Sequence, residues 1–176
     1  VHKSDLGGVV LNLNHERSVA AAFDRIQKEM GRRAPLARMD GVLVAQQLDG
    51  GTETIIGATR DSLYGPLVMF GLGGIAVESL HDVVFRIAPL TTRDAADMID
   101  GLRGAALLRG IRGRPAVDRE ALVDALRRVS QLTMDFPEIE ELDVNPVLAY
   151  EHTIVAVDCR IVLAAPDQLA TSNTAP

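Results

Sequence analysis

Short apolar runs bounded by glycine and turn residues alternate along the chain with stretches whose apolar positions recur every three or four residues. The first pattern predicts strands and the second helices. Residues 7 to 13 (GGVVLNL) read as a buried strand after a glycine turn. Residues 18 to 30 read as a helix with Ser18 as N-cap and Val19, Ala22, Phe23 and Ile26 on one face. Beyond a loop at Pro35, residues 42 to 48 (VLVAQQL) form a predicted strand that Asp49-Gly50-Gly51 breaks. Thr52 to Ala58 and Leu67 to Phe70 are the next strands, parted by the turn-rich segment from Asp61 to Pro66. A loop with Gly71, Gly73 and Gly74 follows, and DVVFRIAPL returns as a strand. Thr91 or Thr92 caps a helix running to about residue 101. The clearest helix starts at Asp118 and places Leu122, Ala125, Leu126, Val129 and Leu132 at helical spacing. Two strands, Ile139 to Ala149 and Thr153 to Leu163, close the chain before a polar tail expected to be disordered. Helices alternate with strands, yet several strands are joined by short turns. The expected fold is therefore α/β (α+β), a mixed sheet flanked by helices.

Composition narrows this picture. Hydrophobic residues make up 47% of the 176 positions but aromatic ones only 3%, so the core must be built from Val, Ile, Leu and Ala. The net charge is -6 with no long basic run, which excludes general nucleic-acid binding because no positive face is available to displace counterions. The lone Cys159 cannot form an internal disulfide, which fits a reducing cytoplasm. No apolar run reaches the roughly 18 residues that a membrane span requires. The opening VHKSDLGGVVLNLN reads as the interior of a domain, so the chain is expected to be a fragment.

Candidate chemistry gathers near the carboxyl end. A hairpin with the loop Tyr150-Glu151-His152-Thr153 pairs Ala149 with Ile154, and the continued register sets Asn145 opposite Asp158. Directly paired residues share a sheet face, and so do residues two apart on one strand, which brings Asp143 to the same patch. Val144 and Val157 then point the other way. Two carboxylates and an amide oxygen are hard donors that suit Mg²⁺, an ion that shares its shell with water and substrate phosphate. The competing reading makes Asp143 and Asn145 a turn before Pro146 and Asp158 a plain surface acid.

Three other segments are weaker. Gly73 and Gly74 in FGLGGIAVE let backbone approach phosphate closely, although neither a Walker A nor a GxGxxG pattern is present, and a plain turn is the simpler reading. His2, before Gly7-Gly8, has the chemistry to carry a phosphoryl group but reads on its own as a solvated terminal histidine. Arg109, Arg112 and Arg114 have the charge to hold an anion but read by default as a solvated loop. His15, His81 and His152 show no partner pattern.

Taken in order, HKSDLGGV, VAQQLDGGTETIIG, GPLVMFGLGGIAVE, LLRGIRG, ELDVNPV and AVDCRI resemble the ATP-grasp region of NDP-forming acyl-CoA synthetases, over residues 1 to 163. The best-known members are the ADP-forming acetyl-CoA synthetases. The resemblance implies an ATP-grasp fold, with residues 1–40 the remainder of a lid subdomain, 41–165 the carboxyl-terminal subdomain and 166–176 a tail. It implies Mg²⁺ held by Asn145 and Asp158, and Asp143 acting near the phosphoryl-transfer centre. Val44, Gln46, Gln47 and Leu48 correspond to a hinge that meets adenine and ribose, Glu53 to an acidic position beside it, and Gly73 and Gly74 to a loop near the phosphates. His2 corresponds to a histidine that can be phosphorylated beside the nucleotide.

The implied activity is phosphoryl transfer between phosphohistidine and ADP or ATP, coupled to interconversion of acyl-CoA with acid plus CoA. CoA-binding and acyl-transfer domains would be the partners, in an oligomeric full enzyme. The family's lid-strand lysine and those partner domains are absent from the chain, so the isolated polypeptide is expected to be inactive. Similar regions also occur fused to GNAT-type protein acetyltransferases, where they sense ligands without ligase turnover, and this stands as the alternative.

Overall fold

The computed structural model describes residues 7–74, 82–111, 113 and 115–165. They fall into two compact units, Val1–Asp49 and Gly50–Pro176.

The first unit is built on helix α1 (Glu16–Arg33). Its N-cap is His15, whose Nδ1 accepts from the Ser18 N–H at 3.1 Å, while Ser18 Oγ accepts from the His15 N–H at 3.4 Å. Ser18 is therefore the third helical residue of a reciprocal capping box and not the cap itself. Glu29 receives both Arg32 (2.9 Å) and Arg33 (2.8 Å), neighbours one turn on. Residues 7–13 and 42–48, expected as strands, join no ladder. A strand exists only through a partner, and these segments leave Leu11 63% and Leu43 92% exposed.

Among the described residues, the second unit is a six-stranded sheet with helices on one face. Its strands are β1 (Thr52–Asp61), β2 (Gly65–Leu72), β3 (Val83–Ile87), β4 (Ile139–Ala149), β5 (Ile154–Ala156) and β6 (Cys159–Leu163). The spatial order is β3-β2-β1-β4-β5, with β6 also on β4, and every described ladder is antiparallel. The turn between β1 and β2 is fixed by Asp61 Oδ1, which accepts from the N–H groups of Leu63 (2.8 Å) and Tyr64 (2.9 Å).

Helices α2 (Thr92–Asp100) and α3 (Arg119–Asp135) begin at Thr91 and Asp118, whose side chains accept from the N–H groups of Asp94 (3.1 Å) and Ala121 (2.9 Å). Their apolar faces (Met98 and Ile99; Leu122 and Leu126) pack onto Ile56, Val68, Phe70 and Val147 of the sheet. Phe70, Met98, Leu122 and Leu126 are fully buried, so this helix-covered side is the core. Asp82 is also buried, and its carboxylate accepts from the N–H groups of Arg103 (2.8 Å) and Gly104 (2.7 Å) after α2. Those two bonds compensate a charge that would otherwise be costly to bury.

Candidate functional site

Register places the candidate residues on the sheet face opposite α2 and α3. On β1, Thr54 and Ile56 point into the core, so Glu53, Ile55 and Gly57 point the other way. Gly57 pairs with Asp143 on β4, and Asp143 with Arg160 on β6. The β1–β4 register shifts between Thr54 and Ile56, which sets Asn145 and Pro146 of β4 against Ile55 alone. This bulge allows Val144 and Val147 both to turn inward while Asp143 and Asn145 remain exposed.

The hairpin register read from loop length is the observed one. Ala149 pairs with Ile154, and the Asn145 N–H donates to the Asp158 carbonyl at 3.1 Å. The return strand is interrupted at Val157 and Asp158, so the expected Thr153–Leu163 strand becomes β5 and β6. Val157 lies in that break and is 51% exposed, whereas Val144 packs against the core as expected.

Asp143, Asn145, Asp158 and Arg160 thus share one patch. The Asp143 carboxyl is pushed above its ordinary value by partial desolvation, with Arg160 pulling it down and the Asp158 charge pushing it up. Asp158 Oδ1 accepts from the Cys159 N–H at 2.9 Å, which orients the carboxylate from its own strand. Among the described residues no three His, Cys, Asp or Glu side chains converge. The available set is two carboxylates and an amide, which fits a hard cation completing its shell with water and phosphate oxygens.

A second grouping joins two segments the sequence kept apart. The Gly73 N–H donates to the Glu53 carbonyl at 2.6 Å, and a Cβ on Gly73 would lie 2.7 Å from the Glu53 Cβ. Gly74 adopts φ +68°, and a Cβ there would meet Glu53 Oε2 at 2.9 Å. Glycine is needed at both positions because this loop lies directly on Glu53. The Gly73 amide is engaged by that bond, so it does not stand free for a phosphate.

In the first unit, Gln47 ties the chain locally: its Oε1 accepts from the Asn12 N–H (2.7 Å), and its Nε2 donates to Asn12 Oδ1 (3.0 Å) and Asp49 Oδ1 (3.1 Å). Val44 and Gln46 are exposed and Leu48 half-buried. His2, His81, Arg112, Arg114 and residues 75–80 of the glycine loop lie outside the described residues, as does the tail from residue 166. Arg109 is not a free anion-binding group, because it pairs with Asp100 at 3.0 Å. His152 lies 3.8 Å from Glu151, and His15 is the helix cap.

Sequence reasoning passed over two features. Arg160 was legible two residues beyond Asp158. A cleft of about 310 Å³ lined by Gly51, Pro115, Val117 and Tyr150 lies where Gly50-Gly51 was read only as a strand breaker.

The chain belongs to the ATP-grasp domain family, whose match spans residues 1–163. It is 48% identical over 163 residues to acetate–CoA ligase [ADP-forming] I of Archaeoglobus fulgidus, covering 93% of this chain and 24% of that protein. It is 44% identical to the β subunit of acetate–CoA ligase [ADP-forming] I of Pyrococcus furiosus, covering 93% of this chain and 70% of the subunit. A solved structure of acetyl-coenzyme A synthetase 1 from Ca. Korarchaeum cryptofilum, in complex with coenzyme A and Mg-AMPPCP, superposes with a TM-score of 0.82 at 45% identity, covering 93% of this chain and 71% of that one. Its phosphohistidine segment points towards the nucleotide binding site. The chain therefore spans about a quarter of the single-chain ligase it matches.

Proposed function

We propose that this chain is the Mg-nucleotide-binding portion of an ADP-forming acid–CoA ligase of the acetate type. The observation that carries the reading is the convergence of Asp143, Asn145 and Asp158 on one sheet face of an ATP-grasp domain. The named relatives support ligase chemistry and lend no support to a GNAT-type sensing module.

Asn145 and Asp158 hold the cation and Asp143 stands beside it, close to the phosphoryl group in transit. Bound there, Mg²⁺ neutralises phosphate charge. Glu53, with the Gly73–Gly74 loop on it, and the segment Val44, Gln46, Gln47 and Leu48 contribute to the nucleoside and phosphate side of the site. His2 carries the phosphoryl group: its N–P bond breaks as a β-phosphate oxygen of ADP forms the new O–P bond, which leaves neutral histidine and ATP. The chain's part is positioning and charge, which is most of what phosphoryl transfer asks of a protein.

Residues 1–40 act as the remainder of a lid subdomain and 41–165 as the carboxyl-terminal subdomain. CoA-binding and acyl-transfer domains complete the enzyme, in the same chain or another subunit, within a cytoplasmic oligomer. Among the described residues no helix is long and apolar enough to cross a membrane.

Calorimetry with Mg-AMPPCP tests the assignment. Asp158→Ala is expected to remove the Mg²⁺-dependent part of the affinity, a loss of about tenfold or more. Equal affinity in wild type and variant with Mg²⁺ present rejects it.

A further inference from the structure

We infer that Arg160 grips the phosphoryl group in transit, a role that rests on the nucleotide reading above. Arg160 and Asp143 are direct partners across β4 and β6, where paired Cβ atoms lie only about 5 Å apart. An arginine and an aspartate so placed ordinarily form an ion pair. Elsewhere the chain does this even at open surface: Arg38 reaches Asp40 at 2.6 Å, Arg128 reaches Asp124 at 2.6 Å and Arg119 reaches Asp100 at 2.6 Å. Among the described residues Arg160 has no such bond to Asp143 and no other ion pair. Both groups are exposed on the face opposite the helices, with their hydrogen-bonding capacity unspent.

The position suits a phosphate. Arg160 lies on β6 two residues beyond Asp158, which immediately precedes that strand, a separation of about 6.5–7 Å along extended backbone. A side chain of its length reaches across that gap to oxygens of a polyphosphate held at Asn145 and Asp158. The planar guanidinium forks onto two phosphoryl oxygens where an ammonium supplies only a point charge. Two carboxylates alone would repel a polyphosphate, and a cation fixed beside them offsets that repulsion without occupying the metal's donors. A purely structural Arg160 would instead be closed onto Asp143.

The test uses the full 176-residue chain, with Mn²⁺ alone, AMP and Mg-AMPPCP as probes. Arg160→Gln is expected to weaken Mg-AMPPCP about tenfold and AMP less than about twofold. Mn²⁺ alone should bind as tightly or more tightly, because a positive neighbour has gone. Arg160→Lys should restore part of the AMPPCP affinity, as expected of a charge without the fork. Unchanged AMPPCP affinity in Arg160→Gln, while Asp158→Ala abolishes the metal-dependent part, overturns the role of Arg160 and leaves the nucleotide site standing. Parallel loss of Mn²⁺ and AMPPCP binding in Arg160→Gln marks a structural residue and also overturns it. Failure of wild type to bind Mg-AMPPCP removes the nucleotide reading and this role together.

Discussion

The two faces of the Gly50–Pro176 sheet are made from the same strands, yet they follow opposite rules. Towards α2 and α3, β1 and β2 present Ile56, Val68 and Phe70, all 2% exposed or less, in a core where the buried polar groups Thr54, Asp82, Ser130 and Thr133 are hydrogen-bonded. Away from the helices the same strands and their neighbours present Glu53, Asp143, Asn145, Asp158 and Arg160, several of them charged and unpaired. The first face maximises buried apolar area. The second keeps donors and charges available, which costs stability and is useful only if a ligand completes them. The bulge opposite Ile55 is what allows one strand to serve both faces, since it lets Val144 and Val147 turn inward around exposed Asn145.

That contrast makes the largest expected effect a purely structural one. Phe70→Ala on the helix-covered face should cost about 3–5 kcal/mol in chemical denaturation, through lost transfer energy and a residual cavity. A loss below about 1 kcal/mol would mean that this face is not the stabilising one.

Asp143→Asn should do the reverse on the other face. Stability of the metal-free chain should change by no more than about 0.5 kcal/mol, and towards the stabilising side. The sign follows from linkage. The folded-state value of Asp143 is raised, so its contribution favours folding below the ordinary carboxylate range and is lost as pH rises through that range to the raised value. Thermal unfolding of wild type and variant should therefore agree at low pH and diverge in the variant's favour towards neutrality. Saturating Mg-AMPPCP should close or reverse that gap. Destabilisation by Asp143→Asn at neutral pH without ligand would mean the carboxylate is already satisfied.

Much of this was legible in the sequence where the chain's own periodicity decided the answer. The hairpin loop fixed the register, and a period of two then dictated that Asn145 faces Asp158. The same counting from the Asp61–Gly65 pair runs to Glu53 opposite Gly73, so that contact was within reach. The helix caps at Thr91 and Asp118 were readable because their side chains suit the role. His15 was not, since histidine is an uncommon cap and Ser18, three residues on, carries the stronger signal. Residues 7–13 and 42–48 look like strands by composition, but apolar content names a candidate and only a partner makes a ladder. The bulge at Ile55 was hidden because it depends on how β1 meets β4, about 90 residues away.

The central claim is that Asn145 and Asp158 serve one ion together with the nucleotide phosphates, and a double-mutant cycle tests it most directly. Mn²⁺ titrations in the presence of AMPPCP, followed by electron paramagnetic resonance, would compare wild type, Asn145→Ala, Asp158→Ala and the double variant. Two ligands of a single ion should show strong coupling, with the double variant little worse than the poorer single one. Losses that simply add, or a metal affinity that neither substitution changes, would contradict the site.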